Sequence, residues 1–282
     1  MSHAPSSPAK WPALLVDAVN TPGVISQAYS RFWNYSTGNQ LLAWFQCLQR
    51  NLQLGPINTF LGWKDCGRSV KKGEKALTLC MPVNVKRRSA ASERLDESVT
   101  DDNPAGGDGA ERPAATITLF TYKPHWFVLC QTEGADYVAT SVPAWDEATA
   151  LHALLIDHIP FVHPDGNCQG FALDRQVAVS PIAYLPHRTL FHELAHVMLG
   201  HTAELRRLDD SQETTPRCLR EVEAESVALI CCECLGLPGL EFSRGYLQHW
   251  LGKEKIPEKS AQKIFKAADR ILKAGYPSVQ EA

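Results

Sequence analysis

Five consecutive residues, His192-Glu193-Leu194-Ala195-His196, constrain this 282-residue chain more than any other feature. Residues four apart on an α-helix lie one above the other on the same face, so the two imidazoles can hold one metal ion. The positions between 189 and 198 that lie outside this motif are uncharged, which is typical of a helix buried behind a site. The alternative interpretation is a coincidental pair of partly buried histidines.

The motif also predicts chemistry, because it places a carboxylate beside the ion. Glu193 lies about 100° round the helix from His192 and can reach a metal-bound water. A zinc ion lowers the pKa of such a water to about 7, and Glu193 can take its proton and deliver it to a leaving amine. We therefore expect zinc, or another divalent transition metal such as manganese, and hydrolysis of peptide bonds. The strand 176–179 just upstream could pair with an extended substrate.

Two histidines need a third protein ligand if the fourth position is to hold water. His201 does not fit the HExxHxxGxxH spacing, which would need a histidine where Thr202 stands. The next predicted helix carries Glu221, Glu223 and Glu225, of which the first and last share a face and Glu223 points elsewhere. We predict Glu221 as the ligand and Glu225 as acceptor of a ring N–H, with the reverse assignment open. A glutamate-rich face that only contacts water is the alternative.

The charge of the chain is divided unevenly along its length. The formal net charge is only −3, but residues 1–88 contain eleven basic and three acidic side chains. That segment therefore carries +8 and the remaining 194 residues carry −11. Such an asymmetry indicates two different tasks, with a polyanion as a candidate partner of the basic part.

Aromatic residues alternate with these cations, a combination that favours single-stranded nucleic acid: cations neutralise phosphates and ring faces stack on bases. The densest piece is the segment 63–75, which contains glycines suited to turns around a phosphate. The predicted DNA contacts are Trp63, Lys64, Arg68, Lys71, Lys72 and Lys75. The alternatives are that aromatic residues at helical spacing belong to the core and that the lysine-rich turn is merely solvated.

The remaining patterns predict an α+β protein in two domains. Residues 89–115 are small, acidic and rich in glycine and proline, which predicts a flexible loop. The β-favouring runs 76–83 and 116–122 predict a hairpin with this loop at its tip, and 126–130 a third strand. Apolar spacing between residues 23 and 51, with an interruption at 36–38, predicts helices packed on that small antiparallel sheet. The N-terminal domain is placed at 1–140.

The C-terminal domain, 141–282, is predicted to be mainly helical. Long helical patterns occupy 186–200, 217–235 and 257–274, and short strands are predicted at 171–173 and 176–179. No stretch approaches the roughly 18 apolar residues of a membrane helix, and the first residues lack the pattern of a signal peptide. We therefore predict a cytoplasmic protein with no membrane partner.

Taken together, several motifs resemble those of the ArdC antirestriction proteins of conjugative plasmids. They are Asn39-Gln40-Leu41-Leu42, Thr59-Phe60-Leu61-Gly62-Trp63, the segment from Gly67 to Lys75, Phe120-Thr121-Tyr122-Lys123-Pro124 and the motif at 192–196. The N-terminal part is also similar to the front of plasmid TraC-type primases. The resemblance extends over nearly the whole chain, and the order of its parts is more specific than any one motif.

The resemblance implies an N-terminal domain that binds single-stranded DNA and a C-terminal zincin-like metallopeptidase fold related to the SprT and IrrE/ImmA groups. It implies His192 and His196 as metal ligands and Glu193 as the catalytic carboxylate. Glu221 matches the glutamate of the relatives' ExxA(N/D) pattern, whereas Glu225 stands where they have Asn or Asp.

The implied role is protection of incoming plasmid DNA from host restriction during conjugation, with transfer into the recipient cell and restriction-modification subunits as candidate protein targets. Two other functions stay open. One is a DNA-binding decoy whose metal site is structural and not catalytic. The other is a regulatory protease that acts on a repressor, as in IrrE-like proteins.

Overall fold

The computed structural model describes residues 10–86, 116–163, 165–204 and 215–277. The helices within these ranges are α1 (Trp11–Asn20), α2 (Val24–Phe32), α3 (Thr37–Gln49), α4 (Phe60–Asp65), α5 (Glu147–Leu154), α6 (Pro186–Leu199), α7 (His201–Glu204), α8 (Arg217–Cys234), α9 (Leu240–Leu251) and α10 (Glu258–Ala274). The strands are β1 (Ile57–Thr59), β2 (Arg68–Val70), β3 (Leu77–Lys86), β4 (Thr116–Val128), β5 (Thr132–Gly134), β6 (Asp157–His158), β7 (Gly170–Leu173) and β8 (Gln176–Val179). The loop predicted at 89–115 lies outside the described residues.

A long antiparallel hairpin of β3 and β4 dominates the N-terminal part, as predicted. Residues 126–128, predicted to begin a separate strand, instead continue β4, and the third strand is β1, in the order β1-β4-β3. Pro124 lies between the two predicted runs, within β4. The register shifts beside the pair formed by Thr78 and Pro124, so an irregularity in the ladder accommodates the proline without ending the strand. Strands β2 and β5 form a separate antiparallel pair.

Helices α2 and α3 confirm the predicted helical segment, but its interruption lies at 33–36 and not at 36–38, because Thr37 and Gly38 begin α3. Helix α1 was not predicted. The start of α3 lies directly against α1: a Cβ atom on Gly38 would come within 2.3 Å of the indole ring of Trp11. Only glycine permits that close approach.

The C-terminal part contains the three long helices that were predicted, as α6, α8 and α10, together with α9, which was not. Its small sheet has the order β6-β8-β7, with β8 parallel to β6 and antiparallel to β7. Helix α6 packs against β7, β8 and α8, and α10 packs on α8. The α+β class is confirmed.

The helices at the two ends of the chain share one hydrophobic core. Asp269 of α10 accepts hydrogen bonds from the backbone N–H of Thr37 at 2.6 Å and from its hydroxyl at 2.7 Å, so it caps α3. The carboxylate of Glu233 accepts a bond from the backbone N–H of Ile25 at 3.2 Å, in the first turn of α2. Acidic side chains of the C-terminal part therefore satisfy the free N–H groups of two N-terminal helices.

Across the described ranges, none of the helices combines the length and apolar character needed to cross a membrane.

Candidate metal centre

Helix α6 presents the two histidines of the motif on one face. It begins at Pro186, a residue suited to the first helical turn, and ends before Gly200, whose φ of 84° is the left-handed conformation that favours glycine. The rings of His192 and His196 follow each other by one turn, and their Nε2 atoms are 3.1 Å apart. Both atoms face the cleft described below.

Glu221 of α8 completes this group. Its Oε2 lies 3.3 Å from Nε2 of His192 and 3.7 Å from Nε2 of His196. Within the part of the chain that the structure describes, these three residues are the cluster of His, Cys, Asp and Glu side chains arranged to hold one ion. The structure thus brings Glu221, and not Glu225, to the two Nε2 atoms.

The donor set fits a divalent transition metal. Imidazole nitrogen and carboxylate oxygen bind such ions at about 2.0–2.2 Å, so tetrahedral ligand atoms lie about 3.4 Å apart. The three observed separations of 3.1, 3.3 and 3.7 Å lie around that value. Helix packing alone therefore holds the ligand atoms at nearly the spacing that an ion requires.

Glu225 supports His192 through the ring nitrogen Nδ1. Its Oε2 lies 3.0 Å from Nδ1 of His192, and its Oε1 accepts hydrogen bonds from the guanidinium of Arg188, whose Nε also donates to Ser243 Oγ at 2.8 Å. Burial alone would raise the pKa of Glu225, but hydrogen bonds with His192 and Ser243 and the charge of Arg188 lower it to about 2. An ionised Glu225 therefore holds the ring of His192.

A second support, which sequence reasoning missed, holds His196. Nδ1 of His196 is 3.0 Å from Nδ1 of His201, and Nε2 of His201 is 2.8 Å from Oε2 of Glu223. Both His201 and Glu223 are buried, with 3% and 1% exposure. The sequence contains one indication of this support. Glu223 lies next to apolar residues of its helix, and a buried carboxylate needs a partner.

These contacts determine which ring nitrogens are free for a ligand. Burial raises the pKa of Glu223, but its hydrogen bond with His201 and other contacts lower it overall, so it accepts the N–H of His201. With the Nε2–H of His201 donated to Glu223, Nδ1 of the same ring is placed to accept the Nδ1–H of His196. His192 likewise donates Nδ1–H to Glu225. In both candidate ligand histidines Nε2 is thus the nitrogen left for an ion, which has to displace the proton that His192 shares with Glu221.

Glu193 lies beside the three ligand side chains and is only 8% exposed. Burial raises its pKa, and the charge of Glu221 adds to that effect, while His192 and His196 oppose it. A carboxyl group with a raised pKa in a cleft is a candidate general base.

The site opens into a cleft of about 690 Å³. Strand β7 forms one wall, the motif helix the floor and the start of α8 the opposite wall. Strand β7 lies directly on α6, since a Cβ atom on Gly170 would be 2.5 Å from Cγ2 of Thr189 and 3.2 Å from Cγ of Glu193. The strand 176–179 cannot pair with a substrate as expected, because β6 and β7 occupy both its edges; the strand at the cleft is β7.

Within the described part of the chain, some of the predicted DNA contacts already form hydrogen bonds through their side chains, and others are exposed without such bonds. The expectation for Trp63 is wrong: it is fully buried, and its Nε1 donates to the carbonyl of Phe127 at 2.8 Å, so no base can stack on it. It is a core residue because α4 places it under the sheet. Arg68 donates to Thr132 Oγ1 at 2.8 Å and to backbone carbonyls, and Lys71 donates to the carbonyl of Cys130 at 2.9 Å.

The other three lysines, Lys64, Lys72 and Lys75, are exposed. Next to Lys64 on the same short helix, α4, stand Phe60 and Leu61, which are 55% and 68% exposed. Phe60 is one of the aromatic residues that alternate with the cations in the sequence, but it was not among the predicted DNA contacts. Phe60 is therefore an exposed aromatic side chain on the same helix as Lys64.

The fold and this cleft define an α+β protein with an HExxH helix, a glutamate ligand on the next long helix and a basic N-terminal part. Residues 16–116 match the family model for the N-terminal domain of anti-restriction factor ArdC. This match confirms the resemblance of the chain to the ArdC antirestriction proteins. No curated protein matches the chain.

Two solved structures of the antirestriction ArdC protein from R388 plasmid share the fold. The metal-free structure is 21% identical, with 94% of each chain covered and a TM-score of 0.51. The Mn(II)-bound structure is 20% identical, with 96% of this chain and 99% of that chain covered and a TM-score of 0.52. The similarity therefore includes both the N-terminal and C-terminal parts.

Proposed function

We propose that this protein is an antirestriction factor that binds single-stranded DNA through its N-terminal part and carries a metal-dependent peptidase in its C-terminal part. By this proposal residues 1–140 and 141–282 are its two functional domains, and it protects incoming plasmid DNA from host restriction during conjugation. The observation that carries the peptidase proposal is the convergence of two Nε2 atoms, one carboxylate and the buried Glu193 in one cleft.

The ligand set proposed here is His192, His196 and Glu221. The R388 ArdC protein has a structure with Mn(II), which supports manganese or zinc as the ion of this fold. When bound, such an ion polarises a water molecule and a substrate carbonyl. The two supporting chains, through Glu225 and through His201 and Glu223, hold Nδ1 of both imidazoles and so orient Nε2 toward that position.

Glu193 is proposed as the general base. Its raised pKa brings its proton affinity closer to that of the water it must deprotonate, and its burial keeps it within the cleft. After the attack on the carbonyl, the same carboxyl group delivers the proton to the departing amine.

Strand β7 is proposed to bind the substrate backbone. Within the described residues it pairs on one side only, with β8, and it lines the cleft. An extended peptide that adds to this edge would lie across the floor formed by α6 and bring one peptide bond above Glu193.

The proposed DNA surface consists of Lys64, Lys72 and Lys75 with Phe60, joined by Arg68 and Lys71 where these also reach a phosphate. Three exposed ammonium groups provide the sequence-independent attraction to phosphates, and the exposed ring provides a face on which an unpaired base can stack.

The peptidase proposal is tested with Glu193→Gln, which removes the base and keeps the side-chain volume. We expect Mn(II) affinity, measured by isothermal titration calorimetry, to change little, and cleavage of fluorescein-labelled casein to fall by about 10²–10⁴-fold. Candidate restriction subunits serve as further substrates, with and without single-stranded DNA. The exposed Glu254→Gln is the matched control.

A plasmid-transfer assay that compares Glu193→Gln with the wild type separates the peptidase proposal from a DNA-binding decoy with a structural metal. If Glu193→Gln protects transferred DNA as well as the wild type does, peptidase chemistry is not needed for the function, and the decoy interpretation replaces it.

The DNA proposal is tested with the triple variant Lys64→Gln, Lys72→Gln, Lys75→Gln and fluorescence anisotropy on a single-stranded oligonucleotide. We expect weaker binding and a salt slope reduced by about 0.7 for each lost phosphate contact. The matched control changes Lys255, Lys259 and Lys266, which are exposed in the C-terminal part. An unchanged salt slope in the first variant would exclude this surface.

A further inference from the structure

Two arginines line the metal cleft without a role in holding the metal ligands. Arg217 and Arg220 lie in the first turn of α8, on the wall opposite β7, and the second of them directly precedes Glu221. The side chain of Arg217 is exposed and that of Arg220 half-buried. Spaced three apart, they lie on the same side of the helix.

Among the residues that the structure describes, neither guanidinium forms a hydrogen bond or an ion pair. Arg31 and Arg270 are likewise without a partner among the described residues, but they do not line the cleft. Arg188 and Arg244 are paired with glutamates, and Arg68 and Arg175 donate to backbone carbonyls. Within the described part of the chain, Arg217 and Arg220 are therefore available to a ligand.

The described carboxylates that follow the pair on α8 are already engaged. Glu221 lies with the two Nε2 atoms, Glu223 accepts from His201, and Glu225 accepts from Arg188 and His192. Among the described residues, the cleft thus holds two positive charges on one wall without a partner, while Glu221, Glu223 and Glu225 contact other side chains. An anionic group of a ligand would balance these charges.

Helix stability does not account for the pair. The N-terminal end of a helix carries a partial positive charge, so cations in the first turn are unfavourable there by about 0.3–1 kcal/mol each. Two neighbouring guanidinium groups also repel each other. The first turn of α8 contains no acidic residue that would offset these effects.

We propose that Arg217 and Arg220 bind a carboxylate of the polypeptide substrate and so give the cleft a preference for acidic peptides. This inference rests on the proposed peptidase function, because it names the substrate class of that site. Arginine suits the task, since its planar guanidinium forms paired hydrogen bonds to a carboxylate.

The position of the pair also limits where the carboxylate lies. Arg217 is one helical turn from Glu221, which is an axial rise of about 6 Å. An extended peptide advances about 3.3 Å per residue, so this rise corresponds to about two residues. We therefore expect the acidic group within about three residues of the bond that is cleaved. The carboxylate is either the side chain of Asp or Glu or the free C-terminus of the peptide.

The experiment measures peptide binding apart from turnover. Mn(II)-loaded Glu193→Gln is titrated with fluorescent peptides that differ only in Glu against Gln at one position, and with peptides whose C-terminus is free or amidated. We expect at least one acidic peptide to bind about tenfold more tightly than its neutral counterpart. The added changes Arg217→Gln and Arg220→Gln should abolish that difference and leave Mn(II) affinity unchanged.

The exposed Arg270→Gln, added to Glu193→Gln in the same way, is the matched control and should keep the preference. The two peptide series identify the source of the carboxylate, because an internal acid and a C-terminal carboxylate respond to different changes. Equal binding of acidic and neutral peptides overturns the inference, as does a double arginine variant that loses affinity for single-stranded DNA and not for acidic peptide.

Turnover of the same peptides by the metal-loaded wild type separates the two proposals. A binding preference without any cleavage would keep the acidic subsite and reject the peptidase. Cleavage with the same kcat/KM for acidic and neutral peptides, in the wild type and in the arginine variant, would keep the peptidase and reject the subsite.

Discussion

Glu223 accepts a hydrogen bond from His201 at 2.8 Å, and the imidazole of His201 in turn contacts the metal-ligand candidate His196. This buried pair does for His196 what Glu225 does for His192. Each candidate ligand histidine therefore has a carboxylate behind it, one directly and one through a second imidazole. Since α8 provides Glu221, Glu223 and Glu225, a single helix contributes both the third ligand and the two supports.

Glu223→Gln tests this relationship. Gln cannot act as a charged acceptor for His201, so the ring of His196 loses its fixed orientation, and we expect Mn(II) affinity to fall by about 10–100-fold. Isothermal titration calorimetry measures the affinity, with the exposed Glu254→Gln as control. An affinity equal to that of the wild type would mean that His201 needs no carboxylate.

Metal affinity is expected to rise with pH between about 6.5 and 9. Burial lowers the pKa of His192, but hydrogen bonds to Glu221 and Glu225 outweigh it and raise the pKa to about 9 in the metal-free protein. An ion must then displace a proton from Nε2, so apparent affinity should fall about tenfold for each pH unit below this value. Calorimetry in buffers of different ionisation enthalpy counts the released protons, and a flat profile would contradict the prediction.

The free energy of unfolding of the metal-free protein is expected to fall as the pH rises, whereas metal affinity rises. The pKa of His192 is raised from 6.5 in the unfolded chain to about 9 in the folded protein. The charged ring therefore contributes stability that is fully present below pH 6.5 and is lost as the pH rises through about 9. Urea unfolding at pH 6.5 and 9 measures this loss, and His192→Gln should flatten the pH dependence.

Trp63 and Phe60 provide a matched pair on α4, one buried and one exposed. Trp63→Phe leaves the carbonyl of Phe127 without its donor and leaves a small void, so we expect a loss of about 2 kcal/mol in the free energy of unfolding. Phe60→Ala should change stability by less than about 0.5 kcal/mol. Phe60→Ala should instead weaken binding of single-stranded DNA by about 1–3 kcal/mol, the worth of one stacked base.

Equal loss of stability in the two variants would contradict this prediction. If Phe60→Ala unfolds the protein in urea as early as Trp63→Phe does, the ring of Phe60 is a packing residue and the DNA surface has no aromatic platform there.

Asp269 is expected to stabilise the junction between the two parts of the chain. Asp269→Ala removes the one oxygen, Oδ1, that accepts both hydrogen bonds from Thr37 at the start of α3, and we expect a loss of about 2 kcal/mol, measured by urea unfolding. Asp269→Asn keeps an acceptor oxygen and should cost less. Equal losses in the two variants would mean that charge, and not the cap, is what Asp269 contributes.

The sequence by itself determined the elements whose signal is local. The 3.6-residue spacing of apolar side chains predicted α6, α8 and α10, the β-favouring runs predicted β3 and β4, and the spacing of His192, Glu193 and His196 predicted the chemistry of the site. Each of these depends on residues within one helical turn or one strand. The motifs also sufficed for the resemblance to ArdC proteins.

Only the tertiary structure decided which partner each side chain has. The packing of α8 on α6 brings Glu221 to the two Nε2 atoms and places Glu225 behind His192, an assignment that spacing had left open. The same packing brings Glu223 to His201. The position of α4 under the sheet buries Trp63 and leaves Phe60 outside. Sequence patterns report the face of a residue on its own element; burial and pairing depend on how elements meet, which a local pattern does not contain.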